Sequence, residues 1–438
     1  MHLARPGICR RIRSMRAVDL FLTLTLVVTS WSDRALAGER PNLEAEVKYE
    51  WNQIEYMYLN QFTKDTYLKN PLFLIPENIQ ISGIAVHNNV VYVTIPRVKS
   101  AVGVPWVLTR VYMYLGKPLL MPYPNYKLQP VGDCTAIQNP LAMEIDHNTG
   151  YLYVLDSGRS GIADAIPTNV CPAKIVVYNT ANTQVVGTHV LPETLVSRTS
   201  SILSSFVLDY TVPGGNKVRY AYISDAGLNQ LIVYDFTTSQ TWSFTHPSML
   251  FNDSADVTIN GQGFHIGLGI SGLALSPDFN YLYWTCLWSD RLYQTATWIL
   301  RRPGQLSESS VRLVGRKVSN TDAMIHGKDS LYYGALQLDA VYRWEKRHDM
   351  MDQNVPEDKV EMITQRQLVQ NWESIQWPDS LSIDDRGNLW FTTGRAHLFI
   401  SGQMNFSDPT TSNFRIFKLP VNDFSYLDDN LPTGAVVG

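Results

Sequence analysis

The sequence predicts an all-β fold, a six-bladed β-propeller closed by an N-terminal strand. A strand–turn–strand unit occurs six times along the chain, the second strand of each unit carries an aromatic residue at one fixed position, and turn-forming residues separate the strands. Of the 438 residues, 45% are hydrophobic and 17% are charged, which excludes a disordered chain and leaves enough apolar material for a large core. Long helical patterns are scarce, so an α/β barrel is the less favoured alternative.

Each repeated unit opens with a small or polar residue, continues as an alternating apolar strand and reaches a second strand after a polar turn. The units begin near residues 82, 140, 206, 271, 323 and 380. The aromatic residues of the second strands are Tyr92, Tyr153, Tyr222, Tyr283, Tyr332 and Trp390. Repeats of this length, each with several short strands, are typical of propeller blades, which are stable only when packed against their neighbours.

Residues 1–37 are predicted to be a secretory signal peptide. Five arginines between residues 5 and 16 precede a short apolar run at 20–30, and Ala35-Leu36-Ala37 has the small-x-small pattern of a cleavage site. The run is shorter than the roughly twenty residues that a membrane-spanning helix needs, so an N-terminal membrane anchor is the less favoured alternative. The segment would work equally well as a signal peptide if it began at Met15 instead of Met1. We therefore expect a secreted, extracellular protein with no membrane association after cleavage.

The rest of the chain divides into three segments. Residues 38–80 are predicted to be a lead-in, in which the stretch at 46–58 adds a strand to the sixth blade and closes the ring. Residues 81–420 form the propeller, and residues 421–438 are expected to be a flexible C-terminal tail.

The residue that leads each first strand is expected to face a mouth of the central channel. These leading residues are small or polar throughout: Ser82, Asn139, Ser205, Ser271, Asp322 and Asp379. The residues just beyond the second strands are Arg97, Asp156, Asp225, Trp288, Gln337 and Arg395. Channel ends are solvated, so this polar ring is compatible with an empty channel as well as with a binding site.

Aromatic residues near the ring favour a small-molecule site, because such sites combine apolar walls with a few fixed polar groups. The candidate ligand-binding residues are Arg97, Asn139, Asp156, Asp225, Phe264, His265, Trp377 and Asp379. Ordinary core packing is the alternative for each aromatic residue.

No motif of a known catalytic mechanism is present. The chain lacks the G-x-S-x-G, H-E-x-x-H, P-loop and C-x-x-C patterns, and its nine histidines are scattered, with no closely spaced pair typical of a zinc site. A tautomerisation needs only proton removal and return, for which Asp379 and His265 are the candidate catalytic residues. No cofactor and no metal are predicted. The formal net charge of −4 provides no basic surface for nucleic acid.

Two kinds of modification typical of secreted proteins are predicted. Signal cleavage leaves Cys134, Cys171 and Cys286, which allow one disulfide and one odd thiol. Asn252 and Asn405 lie in N-x-[ST] sequons and are candidate glycosylation sites.

Several spaced motifs resemble those of the Yellow and major royal jelly proteins. They are YEWNQIEY, Pro96-Arg97 with Gly103-Val104-Pro105, LYVLDSG, LYYGALQLDAVYRWE, WPDSLSIDDRGNLWFTTGR and NFRIFKLP. The resemblance covers nearly the whole mature chain and implies a secreted six-bladed propeller with a Cys134–Cys171 disulfide, which leaves Cys286 as a buried free thiol.

The resemblance also implies a ligand channel lined by the sixth-blade stretch that contains Thr393 and Arg395. The family usually has Ser-Asn-Arg here, whereas this chain has Thr393-Gly394-Arg395 and so lacks an amide that could bond a ligand. Members of the family act in pigmentation, convert dopachrome or bind biogenic amines.

Four functions follow from these observations. The first is binding of a small aromatic amine or catechol-type molecule in the channel, in a pigmentation context. Asp379, Asp156 or Asp225 would pair with its ammonium group, and cation–π contact with Trp377 or Phe264 would assist. The second is a dopachrome-type isomerase, and the third is a structural or cuticle-associated extracellular protein. The fourth is a calcium-dependent lactonase-like hydrolase, because WPDSLSIDDRGNLWF is locally similar to such enzymes, with Asn139 and Asp379 as its oxygen ligands. Ser82 and Ser271 would be poor calcium ligands, and the oligomeric state stays open.

Overall fold

Six four-stranded antiparallel sheets follow one another along the chain and form the blades of a propeller. The computed structural model describes residues 44–164, 166–250, 257–264 and 267–429. The first strands of neighbouring blades contact one another around the ring, so they line the central channel. The predicted six-bladed fold is confirmed.

The first three blades are four-stranded meanders, and a single strand, β1 (Glu46–Trp51), precedes them. Blade 1 contains β2 (Ile84–His87), β3 (Val90–Thr94), β4 (Leu108–Tyr114) and β5 (Lys117–Pro122). Blade 2 contains β6 (Pro140–Asp146), β7 (Tyr151–Asp156), β8 (Lys174–Asn179) and β9 (Val185–Val190). Blade 3 contains β10 (Leu203–Asp209), β11 (Tyr220–Asp225), β12 (Gln230–Asp235) and β13 (Gln240–Phe244).

A short hairpin of β14 (Val257–Ile259) and β15 (Gln262–Phe264) separates blades 3 and 4. Blade 4 contains β16 (Ile270–Leu275), β17 (Tyr281–Cys286), β18 (Arg291–Ala296) and β19 (Arg312–Arg316). Blade 5 contains β20 (Met324–His326), β21 (Leu331–Ala335), β22 (Ala340–Trp344) and β23 (Gln365–Gln370). Blade 6 contains β24 (Pro378–Ile383), β25 (Asn388–Thr393) and β26 (Phe414–Pro420). Four short helices are α1 (Gln61–Leu68), α2 (Thr297–Leu300), α3 (Lys346–Asp352) and α4 (Ala396–Ile400).

The ring is closed by β1, which pairs antiparallel with β26 as the fourth strand of blade 6. Trp51 at its end is buried, and its indole Nε1 donates a hydrogen bond of 2.8 Å to the carbonyl of Pro118 in blade 1. The predicted closing strand is therefore confirmed, although it ends at Trp51 and Tyr56 makes only an isolated bridge to Leu120.

The repeated aromatic position explains why the blades pack tightly. All six of its side chains are buried, and each lies on the second strand of its blade. Four of their polar ends have hydrogen-bond partners. The Tyr222 hydroxyl donates to Asp209 over 2.6 Å, the Trp390 indole donates to Asp384 over 2.8 Å, and the hydroxyls of Tyr283 and Tyr332 donate to Glu357 and Asp423. These side chains therefore fill the space between blades without leaving a buried polar atom unpaired.

The start of the inner strand is irregular in four blades. The register shifts between Pro140 and Ala142, Leu203 and Ser205, Ile270 and Leu273, and Pro378 and Leu381. A β-bulge re-aims the extra residue, and at these bulges Leu141, Ser204, Ser271 and Asp379 all line a cavity on the ring axis. We call the end of the channel where the inner strands begin the upper end, and the other the lower end.

Residues 421–429, which begin the predicted tail, are packed over the lower end of the channel. Tyr426 and Leu427 are buried, and the hydroxyl of Tyr426 accepts a hydrogen bond of 2.9 Å from the amide of Leu208. Burial of these two side chains stabilises the packed position of the segment relative to an exposed, flexible one. Residues 430–438 lie outside the described part of the chain.

Cys134 and Cys171 form a disulfide across 37 positions of the sequence, as the resemblance implied. Cys286 is a free, buried thiol. Within the described residues no helix is long and apolar enough to cross a membrane. The predicted signal peptide at 1–37 lies outside the described residues.

Candidate ligand-binding site in the channel

A cavity of about 140 Å³ lies on the ring axis at the upper end of the channel, and all six blades contribute to it. Its walls are apolar and are formed by Pro96, Val98, Leu141, Ile162, Ile202, Leu268, Leu287, Ala396, Phe399 and Ile400. An apolar cavity of roughly 150 Å³ is large enough to hold a benzene ring. The upper cavity therefore has room for a single aromatic ring with a short substituent.

Two carboxyl groups form the polar floor of this cavity. Asp322 leads the inner strand of blade 5, and Asp379 lies at the bulge in the inner strand of blade 6. Asp322 accepts hydrogen bonds from the Ser271 hydroxyl over 3.1 Å and from the Trp377 indole Nε1 over 3.0 Å. Asp379 is hydrogen-bonded to the side chains of Ser82 and Asp322. The two acids thus form a hydrogen-bonded pair, which we call the acid pair.

The hydrogen bond between the two carboxyl groups requires a proton on one of them. Burial raises the pKa of Asp322. Burial and, second, the charge of Asp322 hold the pKa of Asp379 well above its ordinary value. Each carboxyl is only half-buried by its accessible surface, since it faces the cavity, but protein encloses its other sides. Because Ser271 and Trp377 both donate to Asp322, the negative charge is best placed on Asp322 and the proton on Asp379.

Trp377 joins the floor to an aromatic cluster beside the cavity. Its backbone is in the left-handed region, with φ of 56°, directly before Pro378. Its ring packs edge to face on Phe264 at 5.6 Å and on Trp288 at 6.0 Å, and it stacks on His397 at 6.3 Å. A left-handed backbone at a bulky residue is unfavourable, and these contacts together with the bond to Asp322 hold it in place.

Gln80 supplies an amide to the same cavity. Its side chain lines the cavity and is 4% exposed, its Nε2 donates to the carbonyl of Ile81 over 3.2 Å, and its Oε1 has no partner. A Cβ at Gly394 would lie 2.2 Å from Nε2 of Gln80, so any other residue there would displace this amide from its position. The glycine in Thr393-Gly394-Arg395 therefore makes room for a different amide, whose oxygen is free to accept a hydrogen bond.

The channel narrows below the acid pair. A second cavity of about 50 Å³ is lined by the inner strands, with Glu144 and His326 among its polar side chains and Tyr426 at its lower end. Burial, followed by the charges of Asp146 and Asp428, raises the pKa of Glu144 to about 8. The lower part of the channel is therefore mainly polar and is closed below by the chain's own C-terminal segment.

Four predicted binding residues bond to backbone groups instead of lining the upper cavity. Asp156 accepts three backbone amides, and Asp225 accepts three more. Arg97 is buried and donates to three backbone carbonyls, and burial lowers its pKa to about 10. Asn139 donates to the carbonyl of Arg159 over 2.8 Å. All four hold the loops that precede and follow the inner strands.

The other predicted residues lie around the cavity rather than on its floor. Thr393 donates to the carbonyl of Ser374 over 3.1 Å, and Arg395 donates to the carbonyl of Glu373 over 3.1 Å. Phe264 contributes to the aromatic cluster. His265 and the sequon residue Asn252 lie outside the described part of the chain, whereas Asn405 is exposed at the surface.

The calcium hypothesis has little support from the side chains around the channel. Asn139 does not line the upper cavity with Asp379, so the two predicted oxygen ligands are not brought together there. In the described ranges, no group of three or more His, Cys, Asp or Glu side chains is positioned to hold a metal ion.

Ser82, Ser271 and Asp322 are predicted at the channel mouth but are not among the predicted ligand-binding residues. The signal that could have included them is their equivalent position at the head of three inner strands. Gln80 and Glu144 are not among the predicted residues, because a residue four positions before a strand, or in the middle of one, has no distinguishing pattern.

Comparison with known proteins identifies the family. Residues 140–426 match the sequence model of the family described as "Major royal jelly protein". The chain belongs to this family. Among the relatives of this family member, protein yellow of Drosophila erecta is 28% identical over 420 residues, which cover 92% of this chain and 72% of that protein. Protein yellow of Drosophila melanogaster is 27% identical over 420 residues, with the same coverage.

Solved structures similar to this major royal jelly protein family member include regucalcin from Agrobacterium tumefaciens. It superposes with a TM-score of 0.41 at 10% sequence identity, over 79% of this chain and 92% of that one. Virginiamycin B lyase from Staphylococcus aureus superposes with a TM-score of 0.39 at 14% identity, over 73% of this chain and 80% of that one.

Proposed function

We propose that this protein binds a small aromatic amine in the upper cavity of its channel. The observation that carries the proposal is a hydrogen-bonded acid pair at the floor of an apolar cavity sized for one aromatic ring. A buried carboxylate is costly unless a cation or hydrogen-bond donors compensate it, and an ammonium group supplies both. The ring of the ligand would occupy the apolar part, as in most small-molecule sites.

The polar groups also favour a catechol-type ring. Oε1 of Gln80 is a buried acceptor without a partner and faces the same cavity. A ring hydroxyl would satisfy it, while the ammonium group would lie against Asp322 and Asp379. The amide that the family usually has at position 394 is thus replaced by the side-chain amide of Gln80, from a different element of the chain.

Dopamine titration by calorimetry tests this proposal. The double variant Asp322→Asn/Asp379→Asn removes the negative charge at nearly constant volume and should weaken binding about 10- to 100-fold, the value of a charge-assisted hydrogen bond. Asp379→Asn alone should bind almost as well as the native chain, because Asp322 keeps the charge. Asp290→Asn is the matched control, because Asp290 lies outside the cavity and pairs with Arg316.

A neutral ligand completes the test. The alcohol analogue of dopamine, in which a hydroxyl replaces the amine, should bind weakly and equally to all four proteins. Unchanged dopamine affinity in the double variant, or equal affinity of the native chain for alcohol and amine, would refute the proposal.

The proton on the acid pair favours a second function, isomerisation of a dopachrome-type substrate. A protonated carboxyl beside an ionised one can donate one proton and accept another. Incubation with a large excess of dopachrome distinguishes the two functions. Conversion of many dopachrome molecules per chain would establish the enzyme, provided that Asp379→Asn abolishes the conversion while it still binds dopamine. Loss of only one equivalent of dopachrome would establish a binder.

We also propose that the protein is secreted and acts in pigmentation. Its disulfide, the signal-peptide pattern at residues 1–37 and its relatives named protein yellow support this. Expression in insect cells should yield protein in the medium that begins at Gly38 and carries glycan at Asn405. Retention in the cell fraction with an uncleaved N-terminus would contradict secretion.

A further inference from the structure

A polar cavity of about 540 Å³ lies at the upper end of blade 4. It is formed by the turn between β17 and β18, by the segment that follows β19 and by residues that precede the β14–β15 hairpin. None of its lining residues belongs to an inner strand, so it is distinct from the channel, although Leu268 lines both this cavity and the upper one. We call it the blade-4 cavity.

Three basic side chains and one acidic side chain line the blade-4 cavity. Arg291, Arg316 and Lys317 are the basic ones, and Asp290 is the acidic one. The lining therefore carries an excess of positive charge, although the whole chain has a formal net charge of −4. A concave site lined by one sign of charge attracts ligands of the opposite sign.

The two arginines lie directly opposite each other on neighbouring strands. Arg291 and Arg316 are paired positions of the antiparallel β18–β19 ladder. Like charges in such positions destabilise a sheet. Asp290 pairs with Arg316 over 2.8 Å, whereas Arg291 is hydrogen-bonded to the side chain of Tyr293 and forms no ion pair in the described part of the chain. One positive charge of the arginine pair is therefore without a counter-charge at the cavity.

Lys317 places a third positive charge at the same cavity. Its side chain is buried, and its Nζ donates to the hydroxyl of Thr285 over 2.8 Å and to the carbonyl of Ser289 over 2.9 Å. An ammonium group has three N–H donors. These two acceptors therefore leave one N–H of Lys317 for a ligand.

The other buried lysines of the described ranges differ from Lys317. Lys174 pairs with Asp156 at 3.6 Å, and Lys346 pairs with Glu357 at 2.6 Å. Lys317 forms no ion pair within those ranges. A buried charge is costly unless an opposite charge compensates it, and an anion in the blade-4 cavity would supply that charge.

Uncharged polar side chains complete the lining of the cavity. They are hydroxyl and amide groups, from Ser248, Ser289, Ser319, Asn320 and Gln337. Such groups hydrogen-bond readily to the hydroxyl groups of a ligand. A volume of about 540 Å³ lies in the range of small-molecule sites and exceeds what a single inorganic oxyanion would fill.

We propose that the blade-4 cavity binds the sulfate or phosphate ester of a small hydroxyl-rich molecule such as a sugar, with the oxyanion held by Arg291, Arg316 and Lys317. A guanidinium group donates two parallel hydrogen bonds to such an oxyanion, and a lysine adds a compact positive charge. The serine and amide side chains would bind the hydroxyl groups of the ligand. This site is separate from the proposed amine site and does not depend on it.

The charge of Lys317 gives the site a dependence on pH. Burial lowers its pKa to about 7, against the influence of Asp290 and Cys286, which raise it. An oxyanion beside Nζ favours the charged ammonium, so binding above pH 7 takes up a proton and the affinity falls as pH rises. The Cys286 thiol stays neutral, because burial raises its pKa to about 12. The other titratable groups of the cavity are Asp290, Arg291, Tyr293 and Arg316.

Calorimetric titration of the mature protein with glucose 6-sulfate and, separately, with glucose 6-phosphate tests this proposal. We expect one ester per chain, and the ester that binds more tightly identifies the preferred oxyanion. Lys317→Met should weaken binding about 10- to 100-fold, the value of a charge-assisted hydrogen bond. Arg316→Gln should weaken it by a smaller factor, because this side chain is more exposed. Asp290→Asn, which removes the one negative charge of the lining, should strengthen it.

Arg347→Gln is the matched control for Arg316→Gln. Arg347 is also exposed and pairs with an aspartate, Asp329, over 2.9 Å, but neither residue lines the cavity. Its replacement removes the same charge and should leave the affinity unchanged. Glucose without the ester should not bind. For glucose 6-sulfate, which does not titrate near neutral pH, the affinity of the native chain should fall from pH 6 to pH 9, and that of Lys317→Met should not.

Absence of saturable binding of both esters to the native chain would overturn the proposal. Native affinity in both Lys317→Met and Arg316→Gln would overturn it too, as would an equal loss in Arg347→Gln and Arg316→Gln, which would show a general attraction of charge. If Lys317→Met does not fold, the exposed Arg316 still tests the site. Dopamine titration separates this proposal from the amine site, because Arg316→Gln should bind dopamine as the native chain does.

Discussion

Nε1 of Trp377 donates a hydrogen bond to Oδ2 of Asp322 over 3.0 Å and joins blade 6 to blade 5 at the floor of the upper cavity. Trp377 precedes Pro378 in a left-handed backbone conformation that a bulky residue seldom adopts. The bond to a charged acceptor is among the stronger kinds of hydrogen bond. It therefore offsets the backbone cost and keeps the negative charge of the acid pair on Asp322.

Trp377→Phe should lower the free energy of unfolding by about 1–3 kcal/mol, because it leaves Asp322 without one of its donors. The same variant should weaken dopamine binding, since the charge on Asp322 becomes harder to maintain. Urea unfolding and calorimetry measure the two effects. Trp372→Phe, an exposed tryptophan five positions earlier, is the control and should change neither. Equal stability of the two variants would contradict this account of Trp377.

The fold could be predicted from the sequence because its signal is repeated. Six copies of one aromatic position and a separate closing strand specify a ring of blades, whatever the details of any one copy. The packed segment around Tyr426 could not be predicted, because it follows the last repeat and its burial depends on the shape of the channel's lower end.

The candidate site was predicted only in part, and the carboxylates show why. Asp156 and Asp225 are each followed two positions later by glycine, and both accept the amide of that glycine in a local turn. This pattern is typical of an aspartate that bonds its own backbone. Asp322 and Asp379 have no such glycine. The sequence contained this distinction, but not the side-by-side approach of two inner strands that pairs the two acids.

Glu144→Gln should change how stability depends on pH. The pKa of Glu144 is raised from its ordinary 4.5 to about 8, first by burial and then by the charges of Asp146 and Asp428. Between these values the folded protein holds a proton that the unfolded chain has released, so stability falls as pH rises. The advantage of the glutamine variant should therefore grow from pH 5 to pH 8 by up to about 1.4 kcal/mol per pH unit, and then level off.

Urea unfolding of both proteins at several pH values measures this difference. Glu361→Gln, which replaces an exposed glutamate, is the control and should show no such trend. A difference between Glu144→Gln and the native chain that is constant from pH 5 to pH 8 would show that Glu144 is ionised throughout.

The disulfide should contribute substantially to stability. Replacing Cys134 and Cys171 together by alanine opens a loop of 37 positions, and the chain-entropy relation predicts a loss of about 3–4 kcal/mol. Lys174 also ties this loop, since its Nζ donates to the carbonyls of Cys134 and Ala136 over 2.6 and 2.7 Å. Thermal unfolding with and without reductant measures the effect. Reductant should destabilise the native chain and Cys286→Ala, but not the double variant, and an equal response of all three would contradict the prediction.

The closing strand β1 should contribute strongly to the stability of the propeller. Trp51, at the end of β1, is buried at the junction of blades 6 and 1, where its indole is bonded to the carbonyl of Pro118. Trp51→Ala should lower the free energy of unfolding by about 3–5 kcal/mol, whereas Trp51→Phe, which loses mainly the N–H donor, should lower it by about 1 kcal/mol.

Hydrogen exchange locates the effect of these changes. In Trp51→Ala the amides that pair β1 with β26 should exchange faster than those of blades 2 to 5, because the edge strand of blade 6 detaches before the rest of the ring unfolds. Tyr49→Ala, on the same strand but only half-buried, is the control and should have a smaller effect. If Trp51→Ala and Tyr49→Ala cost the same and exchange rises uniformly around the ring, the closing strand is not the weak point of the propeller.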